Sequence, residues 1–213
     1  MSSSQRFSQA IYRNFCEVAN AMHERQALIS LEDYRKKNGS IYYHGGNFFE
    51  IAQKALFNDM ISHIIKVLDS DVRSASFWYI LRVGRKTIES CNSYSEEKIK
   101  FLENLNPKLK IVRDKTHFHI DEDGVLSPEN IWSKAGITGN ELGRGIDYLF
   151  DVLLEMRNKV LGGSLSRGNF IYEGEDVFKL LELARINGII QVFKAEEEGV
   201  RPESELEKRF EPS

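Results

Sequence analysis

The chain has 213 residues, 41% hydrophobic and 29% charged, with a formal net charge of -3. That length suits one domain with a sizeable core, and the composition is that of a globular protein. The small net charge excludes a general pull toward nucleic acid or membrane, so any binding must rest on local charge. Cys16 and Cys91 lie far apart without metal-type spacing, which predicts two separate thiols rather than a disulfide framework and fits a reducing cytoplasm. The polar opening MSSSQRFSQAIYRNF has no signal-type apolar stretch, and no run of 18 apolar residues would span a membrane.

The first 106 residues contain no proline, which permits long helices. A first helix is expected from Ser4 to about Lys36, because Phe7, Ala10, Ile11, Phe15, Val18, Ala19 and Met22 recur at the three-and-four spacing of one face. Leu28, Leu31 and Tyr34 extend it or follow a kink. Asn38-Gly39 and Gly45-Gly46 bracket a loop. A second helix is expected from about Asn47 to Leu68, around Phe49, Ala52, Leu56, Met60, Ile64 and Leu68. A third is expected from about Ser74 to Ser90, with Gly84 inside it as a weak point. Ser95-Glu96-Glu97 opens a short helix. Pro107 is placed at the start of another, reaching about Ile120. Ser127-Pro128 begins a short helix ending near Ala135-Gly136. Thr138 caps a long helix through about Leu161, with Leu142, Ile146, Leu149, Phe150, Leu153, Leu154 and Met156 inward and Gly162-Gly163 as its stop. Residues 175–186 give a last helix, Ile189 to Phe193 is the best strand-like run, and the charged stretch 194–213 is expected to be a mobile tail. The fold class is therefore all-α: one helical domain of about six to eight helices over residues 1–193, followed by the tail.

Chemistry concentrates in one place. Between Val72 and Lys115 ten bases meet five acids, so the local balance is strongly positive; this is either a phosphate-facing surface or a set of solvated helix faces. Within it, Arg113, Asp114, Lys115, His117, His119 and Asp121 fall close together. Arg113 and His117 are four apart, on one face of a helix, whereas Arg113 and His119 lie about 120° apart around a straight helix at about 100° per residue.

This segment, Arg113-Asp-Lys-Thr-His-Phe-His119, resembles the signature of the HEPN superfamily (higher eukaryotes and prokaryotes nucleotide-binding), an arginine and a polar residue followed by a histidine after four to six intervening residues. Arg113, Asp114 and His119 fill those places with five residues between. The run RDK…HFHID is similar to the AbiU-type abortive-infection branch, although Phe118 stands where that branch often has alanine. The helix over residues 55–82 and the amphipathic helix over Ile146–Met156 extend the likeness. The resemblance implies a helical bundle that dimerises and brings two motifs into one cleft, and a metal-independent endoribonuclease with no cofactor, acting as a bacterial toxin or phage-defence factor. It implies Arg113 as the phosphate clamp, His119 as the proton-transfer group with His117 as the alternative, and Asp114 as an orienting residue. Lys110 and Lys115 would add RNA contacts. RNA is the implied substrate, a second copy the implied partner, and an antitoxin a further partner that the sequence does not identify.

Three other readings stay open beside it: a non-catalytic nucleotide- or RNA-binding domain, a dimeric interaction module, and an ion-paired helix end with no function of its own. A zinc site from His117, His119, Asp121 and Asp123 lacks a third nearby His or Cys. Asp121-Glu-Asp-Gly is too short for a calcium loop, and Gly162-Gly163-Ser-Leu-Ser-Arg-Gly lacks a phosphate-loop lysine. Tyr42-Tyr43-His44 is better read as a packed loop than as a base-stacking surface. Asp121 stands where some HEPN toxins carry a modifiable tyrosine.

Overall fold

The computed structural model describes residues 2–37, 46–114, 128–172 and 174, the side chains of 46–48 and 128–130 excepted. Among them are seven α-helices, a 3-10 helix and no strand. The helices are α1 Ser3–Lys37, α2 Gly46–Val67, α3 Phe77–Val83, α4 Arg85–Glu89, α5 Glu96–Val112, α6 Pro128–Ala135 and α7 Gly139–Leu161; the 3-10 helix is Arg167–Phe170. All that is described up to Tyr172 belongs to one compact unit. The expected loop 38–45, helix 175–186, strand-like run 189–193 and domain boundary at 193 lie outside the described residues.

α1 runs 35 residues without glycine or proline and does not stop at Met22. Leu31 and Tyr34 remain on its buried side, so the later apolar positions extend the helix. Its partners are identified by pairs that run in opposite order. Glu17 meets His63 and Tyr34 meets Phe49, so α1 and α2 are antiparallel. Phe15 meets Phe150 and Arg25 meets Asp147, so α7 lies antiparallel to α1 as well. α5 packs on α7 in the same manner, with Phe101 against Tyr148 and Lys108 paired with Glu141. The core fills the space between these long helices; Ile11, Ile64, Phe77, Ile80, Ile146 and Phe150 are fully shielded from water. Phe170 closes one end, its ring edge-on to Phe15 and Phe150 with both centroids 5.3 Å away.

α7 begins as its sequence requires. Thr138 accepts the Glu141 N–H, and the Glu141 carboxylate accepts the Thr138 N–H in return, a full capping box. Every apolar position expected to face inward on α7 is buried. Close approach of α5 depends on Gly145: a Cβ there would stand 2.7 Å from Leu105 Cδ2. The helix ends where Gly162 and Gly163 take positive φ.

Two sequence expectations need correction. The single helix expected over 74–90 is two helices, α3 and α4, separated at Gly84. The Phe7 ring of α1 occupies the place of a side chain at Gly84, with Cζ 2.2 Å from an ideal Cβ. The break thus lets α1 pack against the backbone. The second correction concerns Pro107, which does not start a helix but lies inside α5. A proline in a helix deprives the carbonyl four residues earlier of its donor. That residue is Glu103, which is exposed like Pro107 itself, so water can serve the carbonyl. Cys16 is half-buried, Cys91 is buried, and both are free thiols, as the spacing predicts.

Candidate active site

α5 carries the first part of the signature at its C-terminal end. Ser95 caps its start by accepting the Lys98 N–H, and Ile99, Leu102, Leu105, Leu109 and Val112 anchor it in the core. Anchoring at Leu109 and Val112 fixes the direction of the next residues. At the end of α5 the Arg113 N–H still reaches the carbonyls of Leu109 and Lys110, so Arg113 continues the helical course of the backbone.

Arg113 is half-buried, with 30% of its side chain exposed, while the Asp114 side chain is 49% exposed. The Arg113 Nε donates to Asp114 Oδ1 at 2.8 Å, and Nη2 stands 2.8 Å from the same oxygen. Asp114 thereby holds one edge of the guanidinium. A guanidinium has five N–H donors in a planar fork, so its other edge is still suited to a two-oxygen contact with a phosphate.

Leu109, Lys110 and Arg113 follow Asn106 by three, four and seven residues, so they share a face of α5. This face forms one wall of a polar groove of about 290 Å³, whose other wall is Ile65 of α2 with Asp69, Ser70 and Asp71 of the following loop. Asp71 is occupied: bonds from the Arg73 guanidinium and backbone N–H hold its carboxyl down at about 2. Asp69 accepts the Asp71 N–H and so shapes the loop. Sequence reasoning named Lys110 and Arg113 and missed Asn106, Asp69, Ser70 and Asp71. Helical spacing from Arg113 would have found Asn106; the loop residues come from a different helix pair and carry no local signal.

The structure brings Lys110, Arg113 and Asp114 to one helix end. Lys115, His117 and His119 lie outside the described residues, as do Asp121, Asp123 and the Tyr42-Tyr43-His44 stretch. Four of the nine described bases between Val72 and Lys115 pair with acids. Arg73 pairs with Asp71, Arg85 with Glu89 and Glu96, Lys108 with Glu141, and Arg113 with Asp114. Lys86, Lys100 and Lys110 are exposed. Exposed Arg82 adds to the positive charge of these lysines.

The family model for the HEPN-type AbiU2 domain matches residues 9–181. The chain belongs to the AbiU2 family. It is a HEPN domain of the AbiU, abortive-infection-related type, and the all-α architecture agrees with that membership. The match to AbiU2 runs from the first turns of α1 past the end of α7 and takes in the Arg113–His119 segment. No curated protein and no solved structure matches the chain. Among the described residues of this AbiU2 domain, no helix is long and apolar enough to cross a membrane.

Proposed function

We propose that this AbiU2 domain is a metal-independent endoribonuclease that acts as a bacterial toxin or phage-defence factor in the cytoplasm. The observation that supports it best is the placement of Arg113. It is half-buried at a fixed helix end, steered by Asp114, on the wall of a polar groove beside Lys110. An arginine with one edge held by a carboxylate is pre-oriented to clamp a phosphate with the other.

In this reading the RNA 2′-oxygen attacks the adjacent phosphorus and the 5′-oxygen leaves, giving a 2′,3′-cyclic phosphate and a free 5′-hydroxyl. His119 moves the proton, taking it from the 2′-hydroxyl or giving it to the departing oxygen. Arg113 stabilises the charge that grows on the phosphoryl oxygens. Asp114 positions Arg113, and Lys110 and Lys115 hold the flanking backbone. Two copies bring their motifs into one cleft. An antitoxin is a further partner of this reading.

The test is cleavage of total RNA by the purified chain in chelator, beside Arg113→Ala, His119→Ala and His117→Ala. Cleavage with cyclic-phosphate ends by the parent, lost in Arg113→Ala and in one histidine variant, supports the reading and identifies the histidine. Equal cleavage by all four proteins indicates a contaminating nuclease and overturns it. Absence of cleavage by a well-folded dimeric parent favours a binding or interaction role for the same fold.

A further inference from the structure

A second polar cluster lies between α1 and α2, away from the signature. His63 is its centre, with only 11% of its side chain exposed. Its Nδ1 is 2.5 Å from Glu17 Oε2, which Lys66 also contacts at 3.2 Å. Its Nε2 faces two other carboxylates, Glu24 Oε1 at 3.4 Å and Asp59 Oδ2 at 3.8 Å. Candidate ligand atoms of Glu24, Asp59 and His63 all lie within 4.8 Å of one another.

We propose that Glu24, Asp59 and His63 form a site for one divalent transition-metal ion, with zinc the best fit, that ties α1 to α2.

Three features of the geometry carry the assignment. First, the spacing on the Nε2 side is long for hydrogen bonds and right for metal-ligand edges. Bonds of about 2.0–2.2 Å from zinc to nitrogen and oxygen give tetrahedral edges of about 3.3–3.6 Å. The Nε2 separations of 3.4 and 3.8 Å need little movement to meet that. Second, Glu17 stands where a metal-bound histidine has its outer partner. A carboxylate accepting Nδ1–H leaves the Nε2 lone pair for the ion and fixes the ring. Third, Glu24 Oε2 is sealed from water and has no hydrogen-bond donor among the described residues. Leaving such an oxygen unmatched is costly, and a cation would satisfy it.

The charges agree. Three carboxylates converge on one imidazole and one lysine. Burial, with Asp59 close by, pushes the Glu24 carboxyl up to about 7 against the pull of His63. One imidazole nitrogen with two carboxylates suits zinc or manganese better than magnesium, which prefers an all-oxygen shell with several waters. Asp59 is on the exposed rim, 63% accessible, and gives the ion a way in with room for a water as fourth ligand. The ion would brace the helix pair; it has no part in the ribonuclease chemistry proposed above.

The test uses the full chain stripped of metal and returned to chelator-free buffer. ZnCl2, MnCl2 and MgCl2 are added in separate titrations, and the thermal midpoint and bound metal per chain are read. Expected are about one zinc per chain and a midpoint rise of about 5–10 °C when zinc is near a hundredfold above its dissociation constant, with no rise from magnesium. Asp59→Asn, at the exposed rim, weakens zinc binding at least about tenfold without disturbing the core. Glu17→Gln keeps all three ligands and still weakens binding about 10–100-fold through the ring. No bound metal and no midpoint rise in the parent overturns the proposal. So does a rise that survives Asp59→Asn and Glu24→Gln but disappears in His117→Ala, which would move the ion to the signature segment. Neither readout involves RNA cleavage, so the metal site and the proposed nuclease stand or fall separately.

Discussion

The groove beside Arg113 and the cluster around His63 are both made of charged side chains, yet the chain builds them in opposite ways. Arg113, Asp114 and Lys110 come from one helix end and owe their proximity to local turn geometry. Glu17 and Glu24 meet Asp59 and His63 only because α1 and α2 pack antiparallel across their buried faces. The first group remains open to solvent along the groove. The second is shielded at His63 and Glu24, with Asp59 at its exposed rim. A site made by local geometry can be altered with little effect on the fold, whereas one that joins two helices cannot. The predictions that follow test that difference.

The largest effect falls on activity. If the ribonuclease reading holds, Arg113→Ala lowers cleavage about 10²–10³-fold, as expected for the loss of one donor to a developing oxyanion. Its stability changes by no more than about 0.5 kcal/mol, because the side chain is part-exposed and pairs only with its neighbour among the described residues. Single-turnover cleavage and urea melts on one preparation separate the two quantities, and a large loss of stability would show that Arg113 is a structural ion pair. His63→Ala should behave in reverse. Removing the imidazole leaves Glu17, Glu24 and Asp59 facing one another with only Lys66 to compensate, at a cost of about 2–3 kcal/mol. Cleavage per folded molecule should be unchanged.

The same distinction decides what can be read from sequence. α7 is legible throughout: the Thr138 cap, the inward positions and the Gly162-Gly163 stop each depend on neighbours within a turn. Arg113 stands out in the sequence because its signature is contiguous. Gly84 reads as a weak point in the sequence, but a full break there could not be derived, since its cause is Phe7, far away in the chain, pressing on the backbone. Pro107 misled for a related reason. Its effect depends on whether the Glu103 carbonyl faces water, and that depends on how α5 docks on α7. Glu17, Glu24, Asp59 and His63 drew no notice because each reads as an ordinary charged residue on its own helix. Only antiparallel pairing brings them together.

A further carboxylate sharpens the contrast. Glu155 of α7 reaches across to the loop between α4 and α5, accepting the N–H groups of Asn92 and Ser93 at 2.8 and 3.0 Å and the Ser93 hydroxyl at 2.8 Å. Lys159 stands 3.1 Å away. Burial raises its carboxyl, but these bonds outweigh that and bring it down to about 2. Glu155→Ala strands the loop donors and should cost about 1–2 kcal/mol at pH 7. The folded pKa lies below the unfolded value of 4.5, so the native state binds fewer protons. Its contribution is complete above about pH 4.5 and is lost as the pH falls toward 2. Urea melts of the parent and the variant should converge over that range; a difference that persists at pH 2 would place the effect in packing.

Glu24 should give the opposite slope, and a smaller one. Its folded pKa of about 7 lies above the unfolded 4.5, so the metal-free native state binds the extra proton. The stability from that proton is complete below about pH 4.5 and is lost as the pH rises through 7, with a slope under the one-proton limit of about 1.4 kcal/mol per pH unit. Glu17, Asp59, His63 and Lys66 face the same space and also respond to pH, so the parent curve alone is not diagnostic. The difference between parent and Glu24→Gln isolates the group, because the amide imitates the protonated acid. That difference should be near constant below pH 4.5 and should shift in favour of Glu24→Gln between pH 5 and 8. Zinc should reverse the ranking: with the ion bound, the ionised Glu24 is the stronger ligand, and the parent should become the more stable protein at pH 7.5. If zinc leaves the ranking as it was, Glu24 is a buried acid holding a proton and not a metal ligand.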